Sequence, residues 1–159
     1  MSCHHAIDTS PEEFRRTLDV NTTGTFLAAQ AAAKVMFEQG TGGCMVFIGS
    51  ISAAKTNFPQ PQAAYNASKA AVVSLGRSLA AEWAVSGVRV NVVSPGYVDT
   101  VLNEGEGLER ARGVWRERCP MGRMGTSEEV AGVVVALCGG MGTYVTGTEV
   151  RVDGGQSVI

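Results

Sequence analysis

The sequence predicts an α/β fold: part of a doubly wound parallel sheet, lacking its N-terminal strands. Three observations predict it. Residues 44–48 are a continuous apolar run of strand length, residues 88–93 are a second strand-like stretch in which Arg89 and Asn91 alternate with valines, and residues 149–152 form a short third run of strand type. Uninterrupted runs suit strands buried on both faces, the habit of parallel sheets. Stretches of helical length separate them, so the connections are crossovers and neighbouring strands run the same way. Three strands with several long helices leave a buried-type strand edge uncovered.

Each element has its own signal. Ser10, Pro11 and Glu13 read as N-cap, first-turn proline and closing residue of a capping box, which opens a first helix. A second, alanine-rich helix spans about 22–38 and ends at a cluster containing Gly40, Gly42 and Gly43. Its small residues predict close packing on the sheet. The first strand follows, then a loop holding Pro59 and Pro61, then a long helix over about 63–85. The second strand stops at Ser94-Pro95-Gly96. Thr126 and Glu129 form another capping box, opening a helix to about Cys138, and the last strand runs into Asp153-Gly154-Gly155.

The chain has 159 residues, 45% hydrophobic and 18% charged, which describes one globular domain over 1–159. A net charge of -2 gives no electrostatic reason to expect a nucleic acid or an anionic membrane as partner. No run approaches the ~20 apolar residues of a membrane span. The expected compartment is the cytoplasm. Cys3, Cys44, Cys119 and Cys138 are widely spaced and form no C-x-x-C pair, so neither a zinc site nor a disulfide framework is expected. His4 and His5 stand beside Cys3, but no ligand cluster follows downstream, and no metal is expected.

The chemistry-bearing segment is Tyr65-Asn66-Ala67-Ser68-Lys69. Spacing of four puts Tyr65 and Lys69 on one helix face. An ordinary phenol titrates near ~10, and a neighbouring ammonium favours its ionised form. A tyrosine tuned in this way could remove a hydroxyl proton, or give one to a carbonyl under reduction. Ser52 lies thirteen positions before Tyr65, and Ser50 is a competing serine at fifteen. Asn21 falls between the first two helices. Ser94-Pro95-Gly96-Tyr97-Val98-Asp99-Thr100 ends a strand in a tight turn, where open α/β sheets bind ligands.

Together these motifs resemble the short-chain dehydrogenase/reductase family: an asparagine at the fourth helix, S…YxASK, PGxxxT and a terminal strand ending in DGG. The resemblance runs from about Ile7 to Gly155 and includes Pro120-Met121-Gly122-Arg123 followed by Glu128-Glu129. It implies a Rossmann-like sheet and an NAD- or NADP-dependent oxidoreductase interconverting an alcohol and its ketone. It further implies Tyr65 as acid/base, with Lys69 tuning it and holding the nicotinamide ribose. Ser52 would orient the substrate oxygen and Asn21 would support a water in the proton relay. Pro95, Gly96, Val98 and Thr100 would face the nicotinamide carboxamide. The spacing of fifteen makes Ser50 the poorer match to the motif. The stretch from Asn57 to Lys69 is similar to the polyol and ketose branch, where Gln60 or Gln62 either bonds substrate hydroxyls or caps the loop. The implied assembly is a homo-oligomer, a dimer or tetramer, through the helix near 63–85.

One departure matters. The family's glycine-rich T-G-x-x-x-G-x-G turn and its N-N-A-G segment are not in this sequence. Gly40-Thr41-Gly42-Gly43 precedes a strand instead of following one. The turn would bring backbone N–H groups to the cofactor pyrophosphate. The expectation is therefore a C-terminal portion of such a domain, weak in cofactor binding alone and able to act as a binding or oligomerisation module without catalysis. A serine hydrolase is excluded by the absence of a G-x-S-x-G elbow.

Overall fold

The computed structural model describes residues 4–103 and 107–159. Cys3 lies outside the described residues. Three strands, β1 (Gly43–Ile48), β2 (Val88–Pro95) and β3 (Glu149–Val152), form one parallel sheet in the order β1-β2-β3. The helices are α1 (Pro11–Leu18), α2 (Gly24–Gln39), α3 (Ala63–Trp83), α4 (Glu109–Glu117) and α5 (Ser127–Cys138).

β2 is the central strand and is buried on both faces although Arg89 and Asn91 interrupt its valines. Val88, Val90, Val92, Val93, Asn91 and Ser94 are all buried, because β1 and β3 cover its edges and helices cover both faces. Asn91 satisfies its buried amide on the segment leading to β3. Its Nδ2 donates to the Val145 carbonyl at 2.8 Å and its Oδ1 accepts from the Thr148 N–H at 3.2 Å.

One layer of the core joins Ala29 and Ala33 of α2 and Val72, Val73, Leu79 and Ala80 of α3 to Met45 and Phe47 of β1. The small residues of α2 do allow close packing, as expected. Gly76 does the same for α3: a Cβ there would lie 2.6 Å from Val92 Cγ2. On the other face, Arg89 reaches from β2 to the end of α5, donating to the Leu137 carbonyl at 2.9 Å and to the Val145 carbonyl at 3.1 Å.

Three expectations change. The first two helices form one continuous rod, joined by a π-helical segment, Asp19–Thr23, so Asn21 sits in a widened helical turn and not in a break. β1 is not buried on both faces: only Met45 and Phe47 are buried, and Ile48 is 50% exposed. Among the described residues it pairs with β2 alone. Finally, α4 lies between the second strand and the Thr126 cap, where no helix is expected. Its sequence is charged, and Trp115 is its one buried side chain, too little for an apolar period to register.

Both N-caps form, but Glu13 does not close the expected capping box at α1, where the bond runs one way only. Ser10 Oγ accepts from Glu13 N–H at 3.1 Å. At α5 the box is reciprocal, with Glu129 N–H donating to Thr126 Oγ1 and Thr126 N–H donating to Glu129 Oε2 at 2.8 Å.

Candidate active site

The site is assembled at the carboxyl edge of β1 and β2. Their register pairs Ile48 with Val93, so Gly49-Ser50 and Ser94-Pro95 leave the sheet side by side. Ser50 and Ser52 are both buried at a short 3-10 turn, Ile51–Ala53. Ser50 Oγ accepts from the Ser52 N–H at 3.1 Å and donates to Ser52 Oγ at 3.0 Å. Tyr65 comes from the first turn of α3, and its phenol shares a hydrogen bond with Ser50.

Ser52 has the better spacing, yet Ser50 is the hydroxyl against Tyr65, and Ser52 stands one hydrogen bond behind it. The reason is local geometry. Ser50 is extended (φ -169°, ψ 152°) and directly follows the strand end, whereas Ser52 has turned into the 3-10 segment. Counting residues back from Tyr65 misses this, because the loop between can take up two residues. Position relative to the end of the strand is the signal that identifies Ser50.

Burial dominates the electrostatics of the site. Burial pushes the Tyr65 phenol above its ordinary value, and only the Ser50 hydrogen bond opposes this. Burial pushes the Lys69 ammonium down. Lys69 Nζ donates to the Ile48 carbonyl at 2.9 Å and lies 5.7 Å from the Tyr65 ring centroid. The ammonium is anchored to the strand end, and the neutral phenol is the favoured form.

Asn21 does not reach Tyr65 directly. Its Nδ2 donates to Ser68 Oγ at 2.9 Å, and Ser68 Oγ donates to the Tyr65 carbonyl at 2.7 Å. The π-helical turn thus holds the first turns of α3 through the fully buried Ser68, a link that sequence reasoning missed. Asn21 and Tyr65 both line a cavity of about 720 Å³ between α1 and the start of α3, whereas Ser50, Ser52 and Lys69 do not.

The 95–100 turn lies at the same sheet edge. Gly96 packs so closely on Asp153 that a Cβ would lie 2.8 Å from Asp153 Cβ, and its N–H donates to the Val152 carbonyl. Val98 bridges to Gly125, and its carbonyl accepts from Asn103 Nδ2 at 2.7 Å. The Thr100 carbonyl accepts from the Asn103 N–H. Pro95 closes β2 opposite Val152.

Between this turn and the 51–62 loop stands an aromatic post. Tyr97 stacks on Trp115 with centroids 4.2 Å apart. The Tyr97 hydroxyl accepts from Gln60 Nε2 at 2.9 Å and Asn57 Nδ2 at 3.2 Å, and Gln60 Oε1 accepts from Trp115 Nε1 at 3.2 Å. Gln60 is thus occupied in fastening the loop. Gln62 precedes α3 as its N-cap residue and lines the cavity beside Tyr65. Among the described residues no group of three His, Cys, Asp or Glu side chains could hold a metal ion, and no helix is long and apolar enough to cross a membrane.

A family model described as enoyl-(acyl carrier protein) reductase matches residues 2–157. A crystal structure of a short-chain type dehydrogenase/reductase from Mycobacterium marinum superposes with a TM-score of 0.93 at 42% identity, over 98% of this chain and 60% of that one. This chain belongs to the short-chain dehydrogenase/reductase family. Galactitol 2-dehydrogenase from Rhizobium johnstonii is 44% identical over 151 residues, 94% of this chain and 58% of the relative. The NADP-dependent mannitol dehydrogenase of Hypocrea jecorina is 38% identical over 95% of this chain and 56% of its own length. The chain spans about three-fifths of the length of these family members.

Proposed function

We propose that this chain carries the proton-transfer part of an NAD- or NADP-dependent oxidoreductase that interconverts a polyol and its ketose. The observation that carries the reading is the Tyr65 phenol hydrogen-bonded to Ser50 at the strand edge, with Lys69 one helical turn along α3. The galactitol and mannitol dehydrogenases support the substrate class, and the mannitol enzyme supports a nicotinamide cofactor.

The donor set fits the nicotinamide-ribose end of such a cofactor. Lys69 spends one of its three N–H donors on Ile48, leaving two for ribose hydroxyls. The 95–100 turn supplies backbone polar groups at the edge where open α/β sheets hold ligands. The cofactor supplies or accepts the hydride. Tyr65, neutral because it is buried, donates its hydroxyl proton to the substrate oxygen during ketone reduction and takes it back during alcohol oxidation. Ser50 fixes that oxygen by hydrogen bonding, and Ser52 holds Ser50. Asn21 acts on the position of α3 through Ser68.

We read residues 1–159 as part of one such domain. Homo-oligomerisation is part of the proposal, supported by exposed apolar side chains along the α1–α2 rod, namely Val20, Leu27 and Val35. The same exposure favours a second reading, a binding or oligomerisation module without turnover.

One experiment separates the two. This chain is joined behind the N-terminal segment of the Rhizobium galactitol dehydrogenase, and oxidation of galactitol is assayed with each cofactor. Turnover is expected, with Tyr65→Phe reducing kcat by at least ~100-fold while cofactor binding persists. Equal rates for both proteins would overturn the assignment of Tyr65. A folded, cofactor-binding chimera without turnover on any polyol would favour the second reading.

A further inference from the structure

Away from the site, Cys44 and Cys138 meet on the face of the sheet covered by α5. Cys44 is the second residue of β1 and Cys138 the last residue of α5, so the two lie far apart in sequence. Cys44 Sγ donates to the Leu137 carbonyl at 3.5 Å, which brings it beside Cys138, the next residue, and the two thiols influence each other's ionisation. Arg89, the cross-strand partner of Cys44 in register, holds the meeting in place by donating to the carbonyls of Leu137 and Val145. The thiols are thus presented by a strand and a helix end braced together, not by mobile loops. Cys138 is exposed and Cys44 partly buried. Cys119 is buried, with its Sγ directed at the carbonyls of Asp153 and Gly154.

We propose that Cys44 and Cys138 form a redox-active dithiol, oxidised to an intramolecular disulfide by low-molecular-weight disulfides such as oxidised glutathione. Exposure makes Cys138 the thiol reached first, and proximity makes Cys44 the one that resolves. Cys138 loses its proton to solvent and attacks one glutathionyl sulfur. A protein–glutathione S–S bond forms, and the other glutathione leaves as a thiolate that takes up a proton. Cys44, whose thiol is pushed up by burial with the Arg89 guanidinium opposing that rise, then gives its proton to solvent and attacks the Cys138 sulfur. The second glutathione leaves and is protonated in turn. Two protein thiols are oxidised to one disulfide, and one glutathione disulfide is reduced to two thiols. The product ties the start of β1 to the end of α5, a cross-link over a long loop that restricts the unfolded chain and raises thermal stability.

The test treats the reduced chain with oxidised glutathione, quenches with acid, and maps the peptides by mass. Accessible thiols under denaturing conditions are expected to fall from the four of the sequence to two. The mass should drop by two hydrogens, a Cys44–Cys138 peptide pair should appear, and the thermal midpoint should rise, all reversed by dithiothreitol. Cys44→Ser is expected to stop with one glutathione on Cys138. Cys138→Ser, at an exposed position, is expected to show no internal link and keeps the test valid if the Cys44 variant fails to fold. Stable glutathionylation of Cys138 in the unmodified chain would overturn the proposal. So would links that join other cysteines or two chains, or retention of all four thiols.

Discussion

The Ser50 hydroxyl, and not that of Ser52, is the hydrogen-bond partner of the Tyr65 phenol. Ser52 is hydrogen-bonded to Ser50 in turn, and this order is the basis for ranking the two serines. In the galactitol dehydrogenase chimera, Ser50→Ala is expected to lower kcat by about 100-fold or more, the range seen when one donor to a reacting oxygen is removed. Ser52→Ala is expected to cost less than about tenfold, since it removes support and not contact. Steady-state kinetics of both variants check this. A larger loss for Ser52→Ala would return the role to that residue.

Burial holds Tyr65 protonated to a higher pH than a free tyrosine. Ketone reduction needs the phenol and alcohol oxidation the phenolate. Reduction is therefore expected to stay flat through neutral pH and to fall only above the ordinary tyrosine range near ~10. Oxidation should rise with pH across the whole interval below it. In the chain itself, an ultraviolet titration of wild type minus Tyr65→Phe should show Tyr65 ionising above the ordinary tyrosine range near ~10. A Tyr65 that ionises below that range would contradict this environment.

At the start of α5, the Arg123 guanidinium and the Thr126 N–H hold the Glu129 carboxyl down at about 2. A depressed folded-state value means stability that is present above the ordinary carboxylate range near ~4.3 and lost as pH falls toward the folded value. Acid unfolding of Glu129→Gln should thus differ from wild type at neutral pH and converge with it near pH ~2. Thr126→Ala, which removes the cap itself, is expected to cost about 1 kcal/mol at all pH values. Urea melts at several pH values test both.

Asn91 is completely buried in the central strand. Asn91→Leu removes the acceptor for the Thr148 N–H, while the Val145 carbonyl keeps its bond from Arg89. One orphaned backbone donor is expected to cost about 1–3 kcal/mol. Hydrogen exchange at Thr148 should accelerate along with the loss of stability. Unchanged stability would mean that the 145–148 segment finds another acceptor.

The isolated chain contains no glycine-rich turn to receive a pyrophosphate, so contacts at the nicotinamide end must act alone. Losing several charge-assisted hydrogen bonds, each worth roughly 1.5–3 kcal/mol, weakens binding by orders of magnitude. Titration of the purified chain with NADH and NADPH should give no saturation in the micromolar range, alongside self-association by size measurement. Micromolar binding by a monomer would show that the residues present suffice.

The sequence by itself determined the parallel order of the strands, both helix caps and the helix that carries Tyr65 and Lys69. Those features rest on local period, cap chemistry and the i,i+4 spacing, all short-range properties of the chain. Tertiary structure decided what depends on distance through space. It chose Ser50 over Ser52, because strand register and not residue count places a hydroxyl against a phenol. It joined two helices into one rod through a π-helical turn, so that Asn21 reaches Ser68. It left β1 half-open, since burial of an apolar run depends on which strands and helices cover it. It also turned Lys69 onto the Ile48 carbonyl, because a half-buried ammonium takes the nearest acceptor, and that acceptor lies twenty-one residues away in sequence.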